Sequence, residues 1–225
     1  MIRTLSETPP LPQPVTPHVL EPGTDPARPP LLLLHGTGGD EHDLIPLGRF
    51  VAPGATLISP RGAVLEHGMP RFFRRLAEGV FDEDDLRRRT DDLAGFVQEV
   101  QRRHGLAAPV ALGFSNGANI AASLLLRHPA LLRGAVLLRA MVPFRTAPAA
   151  RLHGTPVLLL SGAADPIVPA DNSARLAAML GDAGAAVTHR ALPLGHGLSQ
   201  MDVTLARGWL DAFRPPQQGG TQDER

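Results

Sequence analysis

Ser115 stands where an apolar run, Val110 to Phe114, gives way to a helical pattern beginning at Asn116, in the stretch Gly113-Phe114-Ser115-Asn116-Gly117. The spacing is G-x-S-x-G, in which a sharp strand-to-helix turn lifts the serine hydroxyl above a sheet and small flanking residues let strand and helix approach closely. A serine that only capped the helix would need neither glycine. A serine hydroxyl is a weak nucleophile until a base removes its proton, so acyl transfer also requires a histidine and an acid to orient it. On a strand-turn-helix scaffold these follow in the order serine, acid, histidine. His128, His153, His189 and His196 are the histidines after Ser115. His128 ends the helix that follows the serine and His153 precedes the next strand, so neither leaves room for an intervening acid. His189 lies inside the last apolar run, whereas His196 lies just after it in Leu194-Gly195-His196-Gly197. Asp165 follows the run Val157 to Leu160 in a loop shaped by Gly162, Pro166 and Pro169, while Asp171 reads as a cap for the helix beyond. The order therefore selects Ser115 as nucleophile, Asp165 as orienting acid and His196 as base.

Such chemistry also needs N–H donors for the oxyanion of a tetrahedral intermediate. The run Leu31 to Leu34 enters His35-Gly36-Thr37-Gly38-Gly39-Asp40, a glycine-rich turn that can aim backbone amides at a ligand. The expected pair is Thr37 with Asn116, the residue after the nucleophile, and Gly38 is the alternative to Thr37. A competing reading makes His35, Asp40, His42 and Asp43 a metal site, but their spacing fits no ligand motif, and His35 is better placed as packing beneath the turn. The expectation is a site without metal or cofactor.

Met69-Pro70-Arg71-Phe72-Phe73-Arg74-Arg75 should arch over this site from the second central strand. Phe72 and Phe73, with Met141 and Ile167, are the expected substrate-binding wall, with Phe81 a further candidate, unless Phe72 and Phe73 merely plug the loop into the core. An arginine of this segment could hold a substrate carboxylate or phosphate, or could simply fold the loop. Downstream, Glu83 and Arg87, Asp84 and Arg88, and Asp85 and Arg89 are each four apart with the acid first, the pattern of a solvated helix face and not of a nucleic-acid patch.

The elements that must position these residues alternate. Short apolar runs at Leu31 to Leu34, Ala55 to Ser59, Val110 to Phe114, Ala135 to Leu138, Val157 to Leu160 and Ala186 to Leu192 read as strands. Most are continuously apolar, as parallel strands covered on both faces are. Helical patterns occupy Leu44 to Val51, Asp84 to His104, Asn116 to Arg127, Ser173 to Leu180 and Met201 to Phe213. The alternation implies one α/β domain over 31–213, a mostly parallel sheet with helices on both faces. A proline-rich leader over 1–30, with one short edge strand near His18 to Glu21, precedes it, and a disordered polar tail over 214–225 follows.

Composition excludes several classes. The 225 residues balance 22 basic against 22 acidic side chains, every basic one an arginine, so no net field draws the chain to nucleic acid or anionic lipid. With no cysteine, disulfides, thiol nucleophiles and thiolate metal sites are absent. Met1 to Pro10 lacks the apolar core of a secretory signal, and no window approaches the roughly 18 uninterrupted apolar residues of a membrane span. The expectation is a cytoplasmic protein with no integral membrane association, whose partners are a small-molecule ester and water. Its oligomeric state is left open, a homodimer included.

The segments LLLLHGTGGDEHDL, LISPRG, GMPRFFRR, GFSNGANIA, SGAADPIVP and LPLGHGLS resemble the phospholipase/carboxylesterase group of α/β-hydrolases, particularly bacterial serine carboxylesterases of the hydroquinone-stress hydrolase kind. The resemblance runs from about Pro30 to Phe213. It implies the α/β-hydrolase fold without a large cap domain, cofactor-free hydrolysis of small carboxylic esters, and triad and oxyanion residues at the positions already derived. Relatives acting on thioesters or lysophospholipids are the alternative activities, and a non-catalytic small-molecule-binding relative is a remote one. The acyl-protein thioesterase branch tends to carry a Ser-Gly pair after its sixth strand, where this chain has Arg139-Ala140.

Overall fold

Four consecutive leucines, Leu31–Leu34, are all buried, which a strand achieves only when both faces of its sheet are covered. The structure, a computed structural model, describes residues 16–213. The expectations for the segment from Met1 to Pro10 and for the tail 214–225 lie outside the described residues.

In chain order the elements are β1 (His18–Glu21), β2 (Leu31–Leu34), α1 (Ile45–Val51), β3 (Leu57–Pro60), β4 (Val64–Glu66), β5 (Met69–Arg71), β6 (Arg75–Ala77), β7 (Val80–Phe81), α2 (Glu83–His104), β8 (Val110–Phe114), α3 (Asn116–Arg127), β9 (Gly134–Leu138), β10 (Pro156–Gly162), α4 (Ala170–Asp182), β11 (Ala186–Leu192) and α5 (Gln200–Asp211). Seven strands form one sheet in the order β1-β3-β2-β8-β9-β10-β11. Only β1, at the edge and within the proline-rich leader, runs antiparallel.

The two-residue period of the strands divides their side chains between two cores. Leu32, Leu34, Ala111, Leu137 and Leu159 pack on the α2, α3 and α4 side, and Leu31, Leu33, Leu112, Val136 and Leu160 on the α1 and α5 side. After β2 the chain moves outward to β3, then crosses to β8 on the other flank of β2. The loops leaving the carboxyl ends of β2 and β8 therefore diverge and open a crevice where such sheets bind ligands. Thr37 and Ser115 lie in those two loops.

The segment expected to arch over the site as a loop is built from two small hairpins, β4 with β5 and β6 with β7. The first turns at His67-Gly68, both with positive φ (50° and 81°), the conformation that matches hairpin twist. The strands are two or three residues long, too short for an alternating pattern to register.

Two expectations about acids are corrected. Asp85 is 1% exposed and does not lie on a solvated face. It accepts the Arg74 amide at 2.8 Å and pairs with Arg88, while exposed Asp84 bonds to Arg87 and not to Arg88. The hairpin chain crosses the first turn of α2, and its free amide needs an acceptor there. Asp171 is not a cap either: Pro169 holds the N-cap position of α4, and Asp171 sits in the first turn, where the helix dipole favours an acid.

Candidate active site

Ser115 occupies the N-cap position of α3 with φ 52° and ψ −114°, a conformation costly for a residue with a side chain. Its backbone is pinned by an N–H bond to the Leu138 carbonyl at 2.8 Å. Its hydroxyl makes no capping bond to the helix. The flanking glycines are required by packing: a Cβ on Gly117 would lie 2.0 Å from the Leu34 carbonyl oxygen, and one on Gly113 would lie 2.5 Å from that of Gly117. The local fold thus holds the Ser115 hydroxyl clear of its own helix.

The freed hydroxyl lies 3.0 Å from His196 Nε2, and His196 Nδ1 lies 2.8 Å from Asp165 Oδ2. Asp165 Oδ1 accepts the amides of Ile167 at 2.8 Å and Val168 at 3.0 Å. Burial pushes the Asp165 carboxyl up, but those two amides and the His196 ring outweigh it and hold its pKa below the ordinary carboxylate value. An ionised Asp165 fixes the proton of neutral His196 on Nδ1 and leaves Nε2 as the acceptor facing Ser115.

Thr37 and Asn116 line the same crevice as Ser115 and His196. The amide of Gly38 donates to the Pro70 carbonyl at 2.9 Å and that of Gly39 to Gly36, so Gly38 is unavailable as the alternative donor. The amide of Asn116, at the first position of a helix, has no intrahelical acceptor. The segment 70–72 braces both places. Arg71 Nη1 donates to Thr37 Oγ1 at 3.0 Å, and the Phe72 amide donates to Asn116 Oδ1 at 2.8 Å.

Phe72 and Phe73 do not form the wall expected of them. They are 4% and 0% exposed in the core. The Phe72 ring packs 4.7 Å from His35, and Phe73 meets Phe81 edge-on at 5.0 Å. The bonds of the Phe72 amide and the Phe73 carbonyl turn this stretch inward beneath the loop. The cavity, about 380 Å³, instead takes its apolar wall from Phe81, Phe114, Met141 and Ile167, and its polar wall includes Arg71 and Arg75.

His35 is 1% exposed, with Nδ1 bonded to the Gly36 carbonyl at 2.7 Å and Nε2 accepting the Gly62 amide at 2.9 Å. Burial holds its pKa below the ordinary imidazole value. Both ring nitrogens are spent on backbone, so His35 offers no lone pair to a metal. Among the described residues, no three His, Asp or Glu side chains are grouped to hold one.

In the sequence Arg139 stands out only as a departure from the thioesterase branch, and Asp202 does not stand out at all. Arg139, 0% exposed and with φ 58°, sends Nε to the carbonyl of Gly195 at 2.9 Å and Nη2 to that of Gly197 at 3.2 Å, gripping both neighbours of His196. Asp202 closes on the same guanidinium at 2.8 and 2.9 Å. The available signal was a cation inside the apolar stretch Ala135 to Phe144, which burial permits only with a paired acid.

This mostly parallel sheet, with Ser115 on a strained turn at the carboxyl end of a central strand and a histidine and an acid following in that order, defines an α/β-hydrolase. The phospholipase/carboxylesterase family model matches residues 16–213, and the chain belongs to that family of hydrolases. It is 47% identical over 194 residues to MhqD of Bacillus subtilis (strain 168), a protein whose name assigns it provisionally to the hydrolases, with 85% of this chain and 96% of that one covered. The solved carboxylesterase of Bacillus cereus is 47% identical, with a TM-score of 0.86 over 88% of this chain and 95% of that one. A Mesorhizobium loti carboxylesterase is 39% identical, with a TM-score of 0.78 over 82% and 88%. No described helix is long and apolar enough to cross a membrane.

Proposed function

We propose that this chain is a serine carboxylesterase acting on small carboxylic esters through an acyl-enzyme. The observation that carries the reading is the unbroken relay from Asp165 through His196 to Ser115, at 2.8 and 3.0 Å, whose Ser115 and His196 line a cavity. His196 Nε2 takes the Ser115 proton as Oγ attacks the ester carbonyl, and Asp165 stabilises the resulting imidazolium. The amides of Thr37 and Asn116 receive the oxyanion, each donor being worth about 3 kcal/mol of barrier. His196 then protonates the departing alcohol. In the second half it draws a proton from water, which attacks the acyl-enzyme and releases the acid and Ser115. A volume of about 380 Å³, near the lower end for ligand sites, favours a short acyl group.

The test is hydrolysis of p-nitrophenyl esters from acetate to palmitate by the wild type and by Ser115→Ala. The expected result is turnover peaking at short chains, with kcat lowered about 10⁴-fold or more in the variant. A peak at long chains would overturn the small-ester assignment in favour of a lysophospholipase or acyl-protein thioesterase. Failure to turn over any chain length would remove the esterase reading itself.

A further inference from the structure

The polar wall of the cavity holds two guanidinium groups that are not equally engaged. Arg71 is 3% exposed, and three of its N–H groups are spent: Nε on the Phe73 carbonyl at 3.2 Å, and Nη1 on Thr37 Oγ1 and on Glu66 Oε2, each at 3.0 Å. Arg75 donates only Nε, to Glu66 Oε1 at 2.9 Å. Among the described residues, Arg71 Nη2 and both terminal nitrogens of Arg75 have no hydrogen-bond partner, and Arg71 Nη2 is not sealed from solvent. Two cations therefore share the single carboxylate of Glu66. Glu78, the one acid among the described residues that line the cavity, is exposed and forms no ion pair among the described residues, so solvent weakens its charge.

A half-open guanidinium with free paired donors, in the same cavity as Ser115, fits a planar carboxylate better than it fits an alkyl group. We propose that the free edge of Arg75, with Arg71 Nη2 behind it, is a subsite for a carboxylate carried by the ester substrate, so that the preferred substrates are acidic esters such as hemiesters of short dicarboxylic acids. The proposal rests on the esterase reading and deepens it. Arg71 sets the geometry of the subsite through its contacts with Glu66 and Thr37. Arg75, a third exposed at its side chain, is the arginine able to reorient onto a ligand.

The experiment compares kcat/KM for mono-p-nitrophenyl glutarate and for p-nitrophenyl butyrate, and in a second arm for 4-acetoxybenzoate and for phenyl acetate. The first arm puts the carboxylate on the acyl side and the second on the alcohol side. The quantity read is the ratio of acidic to neutral ester within each protein, which cancels any general loss of activity or folding. In the wild type the ratio should exceed one in at least one arm and decline as salt is raised. Arg75→Met should lower it about tenfold and Arg75→Lys by less, because an ammonium keeps the charge but loses the fork. Glu78→Gln, which removes a like-charged neighbour of the ligand, should raise it. A ratio at or below one in both arms, or a ratio that Arg75→Met leaves unchanged, overturns the subsite. Turnover of the neutral esters and its loss in Ser115→Ala test the esterase reading, and the ratio tests the subsite, so failure here and failure of the esterase reading are told apart in one data set.

Discussion

Two arginine–carboxylate clusters flank the Ser115–His196 pair, built from the same chemistry and opposite in state. Behind His196, Arg139 and Asp202 have side chains 0% and 1% exposed, and every guanidinium nitrogen is engaged by Asp202 or by the carbonyls of Leu160, Gly195 and Gly197. Asp202 is shared further, since it accepts the Ser199 amide and hydroxyl in the capping box of α5. Beside the cavity, Arg75 and Glu66 are only partly covered, Arg71 is buried, and the two arginines leave guanidinium donors unspent. A closed cluster in low dielectric has one satisfactory arrangement and so acts as a scaffold, whereas an open one exchanges water for a ligand at little cost. The histidine is held by the first. The substrate meets the second.

The contrast predicts its largest effect at the closed cluster. Asp202→Ala leaves Arg139 buried without its counter-charge, which costs about 3–5 kcal/mol. For a chain of this size that is a fall in Tm of about 6 to 20 °C by calorimetry. A shift below about 3 °C would mean that water already reaches the pair. The double variant Arg139→Met/Asp202→Asn removes both charges and keeps an acceptor for the Ser199 cap, so most of the lost stability should return. Activity should not return with it, because the carbonyls of Gly195 and Gly197 no longer have a clamp and His196 loses its setting against Ser115. Recovery of kcat together with Tm would reduce Arg139 to packing.

An intermediate effect comes from protons. His35, beneath the open cluster and against Phe72, is held neutral by burial, with its pKa below the ordinary imidazole value. In the unfolded chain the same ring binds a proton near pH 6.5, so the unfolded state takes up more protons as pH falls. The stabilisation is complete above that pH and is lost on acidification toward the lowered folded value, at up to about 1.4 kcal/mol per pH unit. Urea unfolding at pH 7.5 and 5.5 should show this loss, and His35→Gln, whose amide oxygen can still accept from Gly62, should flatten the slope. Equal slopes in the two proteins would mean that the ring is protonated in the fold.

The same division decides how much could be read from the sequence. Continuous apolar runs were enough to locate β2, β3, β8, β9 and β10 within a few residues, because burial on both faces leaves no polar position to confuse them. Ser115, Asp165 and His196 were legible through chain order and the strand-to-loop context of each, and the structure brings them within hydrogen-bonding distance. Phe72 and Phe73 misled because an aromatic pair in a loop has the same composition whether it faces a ligand or the core. Their direction depends on the bond of the Phe72 amide to Asn116, 44 positions away, a long-range contact that no local pattern encodes. Arg139 was hidden for a related reason. Its acid lies 63 positions away on α5, and only the tertiary fold shows that the pair holds the His196 loop.

The smallest predicted effect separates recognition from folding. Arg75 has a side chain 32% exposed and its one pairing is with a carboxylate that Arg71 also holds, so its contribution to stability is that of an exposed ion pair, about 0.5 kcal/mol or less. Arg75→Met should leave the unfolding free energy from urea titration within that range of the wild type and its midpoint nearly unchanged, while changing discrimination between acidic and neutral esters about tenfold. A large loss of stability would place Arg75 with Arg139 as scaffold, and the changed discrimination would then follow from a disturbed wall. An unchanged midpoint with altered discrimination means that the open cluster contributes its free energy on binding, as the closed one does on folding.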